Sequence, residues 1–127
     1  MNLIEFIFAV GAVFGSTGII GTKSLFLIEK YFPKIKINLL CANNNASKII
    51  RQSFRYSPKY IFLNNQNKYN YLKKKINPKT KLLNMNEMKA YLRETKSDLT
   101  ILAVSGYKSL NYLNLILHNT NSLGLVS

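Results

Sequence analysis

Six short apolar runs alternate with longer stretches of helical periodicity along this chain, and that alternation constrains its fold more than any other feature. The runs are Ile7 to Phe14, Ile35 to Cys41, Tyr60 to Leu63, Lys81 to Leu83, Leu99 to Val104 and Leu123 to Val126. They have the length of strands, and several are rich in β-branched or aromatic side chains. Between them, Ile20, Ser24, Leu27, Ile28 and Tyr31 share one face of a helix that Pro33 stops. Ile49, Ile50 and Phe54 share a face of the next, with Asn45 placed to cap it. Lys68 to Ile76 and Glu87 to Arg93 read as shorter helices, and a fifth is apolar at Leu110, Leu113, Leu115, Ile116 and Leu117. Strands that alternate with helices pair in parallel, because parallel neighbours need crossover connections, and the helices then cover the sheet. With 127 residues there is material for one core and not for two.

The first strand runs into FGSTGIIG, residues 14 to 21, and then into the first helix. Gly15, Gly18 and Gly21 therefore fall at a strand-to-helix junction near the start of an alternating chain. In a doubly wound sheet this is where a nucleotide is received. The glycines permit a tight turn and close backbone approach, and the helix amino terminus offers free N–H groups to a pyrophosphate. The expected fold is thus α/β, a Rossmann-like doubly wound parallel sheet forming a single domain over residues 1–127. A glycine turn of purely conformational origin is the alternative.

An acidic residue after the second strand would hydrogen-bond the adenosine ribose of NAD. The residues there are Ala42, Asn43, Asn44 and Asn45, which are neutral and would not repel a 2′-phosphate. This favours NADP over NAD. A polar loop with a helix cap accounts for the same residues without a ligand.

The formal charge of +13 suggests an anionic partner such as nucleic acid. Its 15 Lys are scattered over every segment beside 16 Asn, a pattern that an AT-biased genome produces without selection for a ligand. A basic module acting through Lys73, Lys74, Lys75, Lys79 and Lys81 is the nonenzymatic alternative. The apolar amino-terminal stretch has the length of a membrane span but carries Glu5, three glycines and two hydroxyl residues, so neither an anchor nor a signal peptide is expected. The single cysteine, Cys41, reads as a buried strand residue and fits a cytoplasmic protein. His118 is the only histidine, and the five acids Glu5, Glu29, Glu87, Glu94 and Asp98 show no grouping of the kind that binds metal. Tyr69 with Lys73 and Tyr71 with Lys75 have the Tyr-x-x-x-Lys spacing of another NADP-linked family, the short-chain dehydrogenases, but they fall early and in a strongly polar helix.

FGSTGIIGTKSLFLIEKYF resembles the start of the 1-deoxy-D-xylulose 5-phosphate reductoisomerases, whose fingerprint is Gly-Ser-Thr-Gly-Ser-Ile-Gly followed by a helix. LLCANNNASKIIRQSFRYSPKYIFL is similar to the family's second strand, Ala-Gly-Lys-Asn turn, helix and Pro-Lys-Tyr entry to strand three. SDLTILAVSGYKSLNYLNLIL resembles its strand five, Val-Gly turn and following helix. The resemblance implies the NADPH-binding portion of an oxidoreductase of isoprenoid biosynthesis, which converts 1-deoxy-D-xylulose 5-phosphate to 2-C-methyl-D-erythritol 4-phosphate. It places cofactor contacts on Thr17, Gly18, Ile19 and Ile20 in the first turn and on Asn43, Asn44 and Asn45 after strand two. Ile19 stands where the family has serine. Asn43 and Asn44 replace Gly-Lys or Gly-Arg, which removes a cation that would pair with the 2′-phosphate. The divalent metal of the complete enzyme, Mg or Mn, and its catalytic residues have no counterpart in these 127 residues, so no catalytic or metal-binding residue is expected here. The partners implied are NADPH and the missing catalytic half or a homodimer partner, with no membrane and no nucleic acid.

Overall fold

The computed structural model describes residues 9–104 and 113–125. Six parallel strands form one sheet: β1 (Ala9–Phe14), β2 (Ile35–Ala42), β3 (Tyr60–Leu63), β4 (Lys81–Leu83), β5 (Leu99–Leu102) and β6 (Leu123–Leu125). The helices between them are α1 (Ile19–Tyr31), α2 (Ala46–Tyr56), α3 (Tyr69–Lys75), α4 (Met85–Glu94) and α5 (Leu113–Asn119), with a 3-10 turn at Gln66–Lys68 leading into α3. The strand order is β4-β3-β2-β1-β5-β6, so the chain builds outward from β1 in one direction and then returns to build in the other. Building in both directions from β1 puts helices on both faces of the sheet.

The two-residue period of the strands decides which core each side chain joins. Val13, Leu40 and Ile61 point to the face covered by α1, α2 and α3, where they pack with Leu25, Ile28, Ile49 and Leu72. Phe14, Leu39, Cys41 and Phe62 point the other way, toward Met88 and Leu92 of α4 and Ile116 of α5. Strands buried on both faces read as continuous apolar runs, which is why the sequence displays them so clearly. Between Gly11 and Ala12 the pairing with β2 shifts by a residue, and the skipped Asn38 donates its side-chain amide to the Tyr91 hydroxyl at 2.8 Å.

The expected doubly wound parallel sheet is observed. Its details differ in ways that have physical causes. On α1 the buried residues are Gly21, Leu25 and Ile28, whereas Leu27 and Tyr31 are 48% and 60% exposed. The helix is apolar nearly all round, so periodicity does not choose its inner face; the backbone contact at Gly21 does. On α2 Ile49 is buried but Phe54 is exposed, and Gln52 and Ser53 take the inner positions. Ser53 and Asn77 explain part of this exchange: the Asn77 backbone N–H donates to Ser53 Oγ at 3.0 Å and its side chain to the Ser53 carbonyl at 3.1 Å. Strand β5 ends at Leu102, two residues before the expected Val104. Ile7, Val126 and Leu110, each assigned to an element by sequence, lie outside the described residues.

Helix α4 starts at a capping box. Asn84 Oδ1 accepts the Glu87 N–H at 2.8 Å, and Glu87 Oε1 accepts the Asn84 N–H at 3.0 Å. That backbone bond, with Lys81 Nζ 3.3 Å from the other oxygen, holds the Glu87 carboxyl below its ordinary value. Its stabilising effect is therefore complete above the ordinary glutamate range and is lost as pH falls through the lowered folded value. Asn84→Ala should cost about 1 kcal/mol in urea unfolding. Glu87→Gln should lie below wild type at about pH 7 and approach it as pH falls below the lowered folded value, an outcome read from the two unfolding midpoints.

Candidate functional site

The strand order reverses between β1 and β5, and the turn after β1 sits at the carboxyl edge of this reversal. Gly15 has φ +83, a conformation that costs any residue with a Cβ. The N–H groups of Gly15 and Ser16 both donate to the Cys41 carbonyl, at 2.8 and 3.0 Å, so the turn hangs from the end of β2. On the other side Ala103 N–H donates to the Phe14 carbonyl at 2.8 Å.

The three glycines do different work. A Cβ on Gly15 would strike the Ala103 carbonyl, and one on Gly21 would strike the Gly15 carbonyl. Gly18, with φ −73 and ψ 173, is in ordinary extended geometry, and a Cβ there would meet only Gly15 O at 3.6 Å. Two glycines thus serve the fold, while the third leaves space open to solvent. Gly18 is also the amino-terminal cap of α1 and offers no side chain to it. The first helical bond runs from Thr22 N–H to the Gly18 carbonyl at 2.9 Å, leaving the N–H groups of Ile19, Ile20 and Gly21 without a helical acceptor. Ile19 is 74% exposed and Thr17 and Ile20 are half-buried, whereas Gly21 is buried, so the open part of the first turn of α1 lies at Gly18 and Ile19.

Buried beneath the turn, Gln52 on α2 donates its Nε2 to the Ser16 carbonyl at 2.8 Å, and Thr22 Oγ1 reaches the same oxygen at 3.3 Å. Sequence reasoning missed Gln52. The signal was present, since a glutamine one turn after Ile49 interrupts the apolar face of α2.

After β2, Asn43, Asn44 and Asn45 are all exposed, and each has its side-chain oxygen occupied. Asn64 donates to Asn43 Oδ1 at 3.1 Å and Asn65 to Asn44 Oδ1 at 2.7 Å. Asn45 Oδ1 accepts the Lys48 N–H and the Ser47 hydroxyl, each at 3.1 Å, and so caps α2 as expected. These bonds leave the side-chain N–H donors of the three asparagines unused. Lys68, in the turn before α3, reaches across to the Asn44 carbonyl with its Nζ at 2.8 Å. Asn44, Asn45, Ala46, Ser47, Lys68 and Tyr71 line a cleft of about 690 Å³. The turn and this loop are the two parts that sequence assigned to one ligand, and both lie at the carboxyl ends of adjacent strands. The residues suit an anion: donors and a cation are present, and no carboxylate lies among them.

Other candidates do not assemble. Tyr69 and Lys73 meet through the ring, with Nζ 5.9 Å from its centre, on the first helix after β3. Lys81 is paired with Glu87. His118 is exposed in the last turn of α5, and Asp98 precedes β5, where its carboxylate accepts the Val10 N–H at 2.8 Å. Cys41 is buried, which pushes its thiol well above the usual value. Among the described residues no three His, Cys, Asp or Glu side chains come together to hold a metal ion, and no helix is long and apolar enough to cross a membrane.

A doubly wound parallel sheet with an open, glycine-led helix start at its carboxyl edge defines a Rossmann-like α/β domain. The sequence model of the 1-deoxy-D-xylulose 5-phosphate reductoisomerase family matches residues 12–125, and the chain belongs to that family. A reductoisomerase of Buchnera aphidicola subsp. Schizaphis graminum is 33% identical over 102 residues, covering 77% of this chain and 26% of that protein. The structure of the Zymomonas mobilis reductoisomerase in complex with NADPH superposes with a TM-score of 0.78 at 23% identity, over 94% of this chain and 32% of that one. A reductoisomerase in complex with NADPH, fosmidomycin and magnesium superposes with a TM-score of 0.66 at 20% identity, over 76% of this chain and 24% of that one. The chain thus matches no more than about a third of the length of any of these proteins.

The division among the glycines is open to measurement. Gly15→Ala and Gly21→Ala should each lose about 2 kcal/mol or more, the first through its backbone conformation and both through collision with a carbonyl. Gly18→Ala should stay within about 1 kcal/mol of wild type. Urea unfolding of the three variants distinguishes this from an evenly shared structural role, in which Gly18→Ala would fall with the others.

Proposed function

We propose that this chain is the NADPH-binding portion of a 1-deoxy-D-xylulose 5-phosphate reductoisomerase, with the domain extending over residues 1–127. The observation that carries the reading is Gly18, a glycine the fold does not need, opening a helix whose first-turn N–H groups have no acceptor within the helix. Backbone donors at a helix start suit a pyrophosphate, and a glycine without a structural task suits a ligand that must approach the backbone closely. Thr17, Gly18, Ile19 and Ile20 then line the pyrophosphate end, and Asn43, Asn44 and Asn45 the adenosine end. The absence of a carboxylate among these asparagines suits the 2′-phosphate of NADPH better than the bare ribose of NADH.

Bound NADPH would supply a hydride; the residues of this chain bind and orient it. Turnover needs more, since a nicotinamide must be held against a substrate and the substrate against its activating groups. The described residues offer no donor set for the divalent metal expected of the complete enzyme. The partner this reading requires is the catalytic half, with a second copy of the chain as the other candidate. A cytoplasmic setting goes with the same proposal, since the single cysteine, Cys41, cannot form an internal disulfide.

Gly18→Val should keep the far-ultraviolet circular dichroism of the wild type while weakening NADPH binding by about tenfold or more, because a branched side chain would occupy the approach of the phosphates. An unchanged NADPH fluorescence titration would falsify the assignment. The 127-residue polypeptide should also show no substrate-dependent NADPH oxidation above the rate without protein, with or without added magnesium, because binding without transition-state contacts leaves the barrier in place. Turnover that survives removal of host enzyme and disappears in Gly18→Val would overturn that expectation.

A further inference from the structure

We infer that Lys68 is the residue that makes the site prefer NADPH to NADH, by supplying the positive charge for the 2′-phosphate from the turn before α3 rather than from the loop after β2. The inference rests on the nucleotide reading of the site and adds to it a residue that sequence assigned only to a solvated helix start. The loop after β2 is neutral along Ala42, Asn43, Asn44 and Asn45. Neutral amides donate hydrogen bonds but leave a phosphate dianion without a counter-charge, and charge-assisted bonds are about twice as strong as neutral ones. A cation from elsewhere is needed for strong discrimination.

Lys68 meets that need by position. The 3-10 turn at Gln66–Lys68 is built by its own loop: Asn65 Oδ1 accepts the Asn67 N–H at 3.1 Å, and Gln66 Nε2 donates to the Leu63 carbonyl at 2.7 Å. The same turn is stitched to the asparagine loop, because Asn65 N–H donates to the Asn43 carbonyl at 2.9 Å and Asn65 Nδ2 to Asn44 Oδ1. Lys68 therefore starts from a fixed base, and its Nζ rests 2.8 Å from the Asn44 carbonyl. That bond uses one of three ammonium protons. Two remain for a ligand in the cleft that Lys68 shares with Asn44, Asn45 and Ser47, beside the amino terminus of the 11-residue helix α2. The ion pairs among the described residues lie elsewhere: Glu29 pairs with Arg55 and Glu87 with Lys81. The ammonium is thus committed to a neutral carbonyl, a contact it can keep while a phosphate approaches from the solvent side.

The test compares NADPH with NADH, and 2′,5′-ADP with 5′-AMP, on the full 127-residue chain by calorimetric titration. Lys68→Met and Lys68→Gln should lower affinity for NADPH and 2′,5′-ADP by about tenfold or more while leaving NADH and 5′-AMP within about twofold. Lys68→Gln controls for the interloop bond, since its amide can still donate to Asn44 without carrying charge. Lys68→Arg should retain most of the preference, and added salt should weaken NADPH binding less in Lys68→Met than in wild type. An unchanged NADPH-to-NADH ratio in Lys68→Met, in a chain whose NADPH binding is still lost on Gly18→Val, overturns the role of Lys68 and leaves the nucleotide reading standing. Wild-type chain that binds neither NADPH nor 2′,5′-ADP overturns both. Equal losses for NADPH and NADH would make Lys68 a support of the loop and overturn its role in specificity.

Discussion

Backbone lies directly against backbone where Gly21 of α1 crosses Gly15, and the arrangement of the carboxyl edge depends on that approach. Only a residue without a Cβ fits at position 21, where one would strike the Gly15 carbonyl, while Gly15 is itself held to glycine by its φ of +83 and by the Ala103 carbonyl. The contact fixes which face of α1 turns inward, placing Leu25 and Ile28 in the core and leaving Leu27 and Tyr31 outside. It also fixes where α1 begins, and so where the first-turn N–H groups point. The Cys41 carbonyl, which accepts two N–H groups from the turn, ties this geometry to β2. Gln52 ties it to α2 from below, with a buried bond between residues far apart in sequence. A site that presents main-chain donors needs such support, because main-chain groups are only as well oriented as the chain that carries them.

The second part of the site is organised by a different rule. Three consecutive asparagines would be an unremarkable polar loop if their amides were free to turn. Here each side-chain oxygen is taken by a neighbour, and the orientation of Asn45 is set by a backbone N–H, which accepts no alternative. What remains unused is donor character, joined by the ammonium of Lys68. Replacing carboxylate by amide changes the ligand such a loop tolerates, because a carboxylate repels a phosphate, whereas a neutral amide does not and adds N–H donors.

The two parts are joined through the sheet. β1 and β2 are neighbours in parallel register, with Phe14 beside Cys41, so their carboxyl ends carry the glycine turn and the asparagine loop side by side. The next pair, Ala42 beside Leu63, brings the turn that bears Lys68 to the same edge. Parallel pairing makes this possible, since every strand delivers its following loop to one end of the sheet.

The sequence by itself determined the existence of the six strands, the alternation with helices that makes them parallel and the glycine turn. Those features are local: an apolar run buried on both faces, a proline that stops a helix and a cap such as Asn45 are each legible within a few residues. It also determined which residues follow β1 and β2 at the carboxyl edge of the sheet, because loops after parallel strands all emerge at that edge. Tertiary structure alone decided which of the three glycines the fold requires, since spacing treats Gly15, Gly18 and Gly21 alike and only the position of Ala103 and of the Gly15 carbonyl separates them. It alone turned Phe54 outward and Gln52 inward, because the inner face of α2 is chosen by the Ser16 carbonyl and by Asn77, residues distant in sequence. And it alone brought Lys68 to Asn44, across 24 residues and between two loops. A charge in sequence has no neighbours until the strands that carry its loop are placed in register, which is the physical reason this lysine read only as part of a polar helix start.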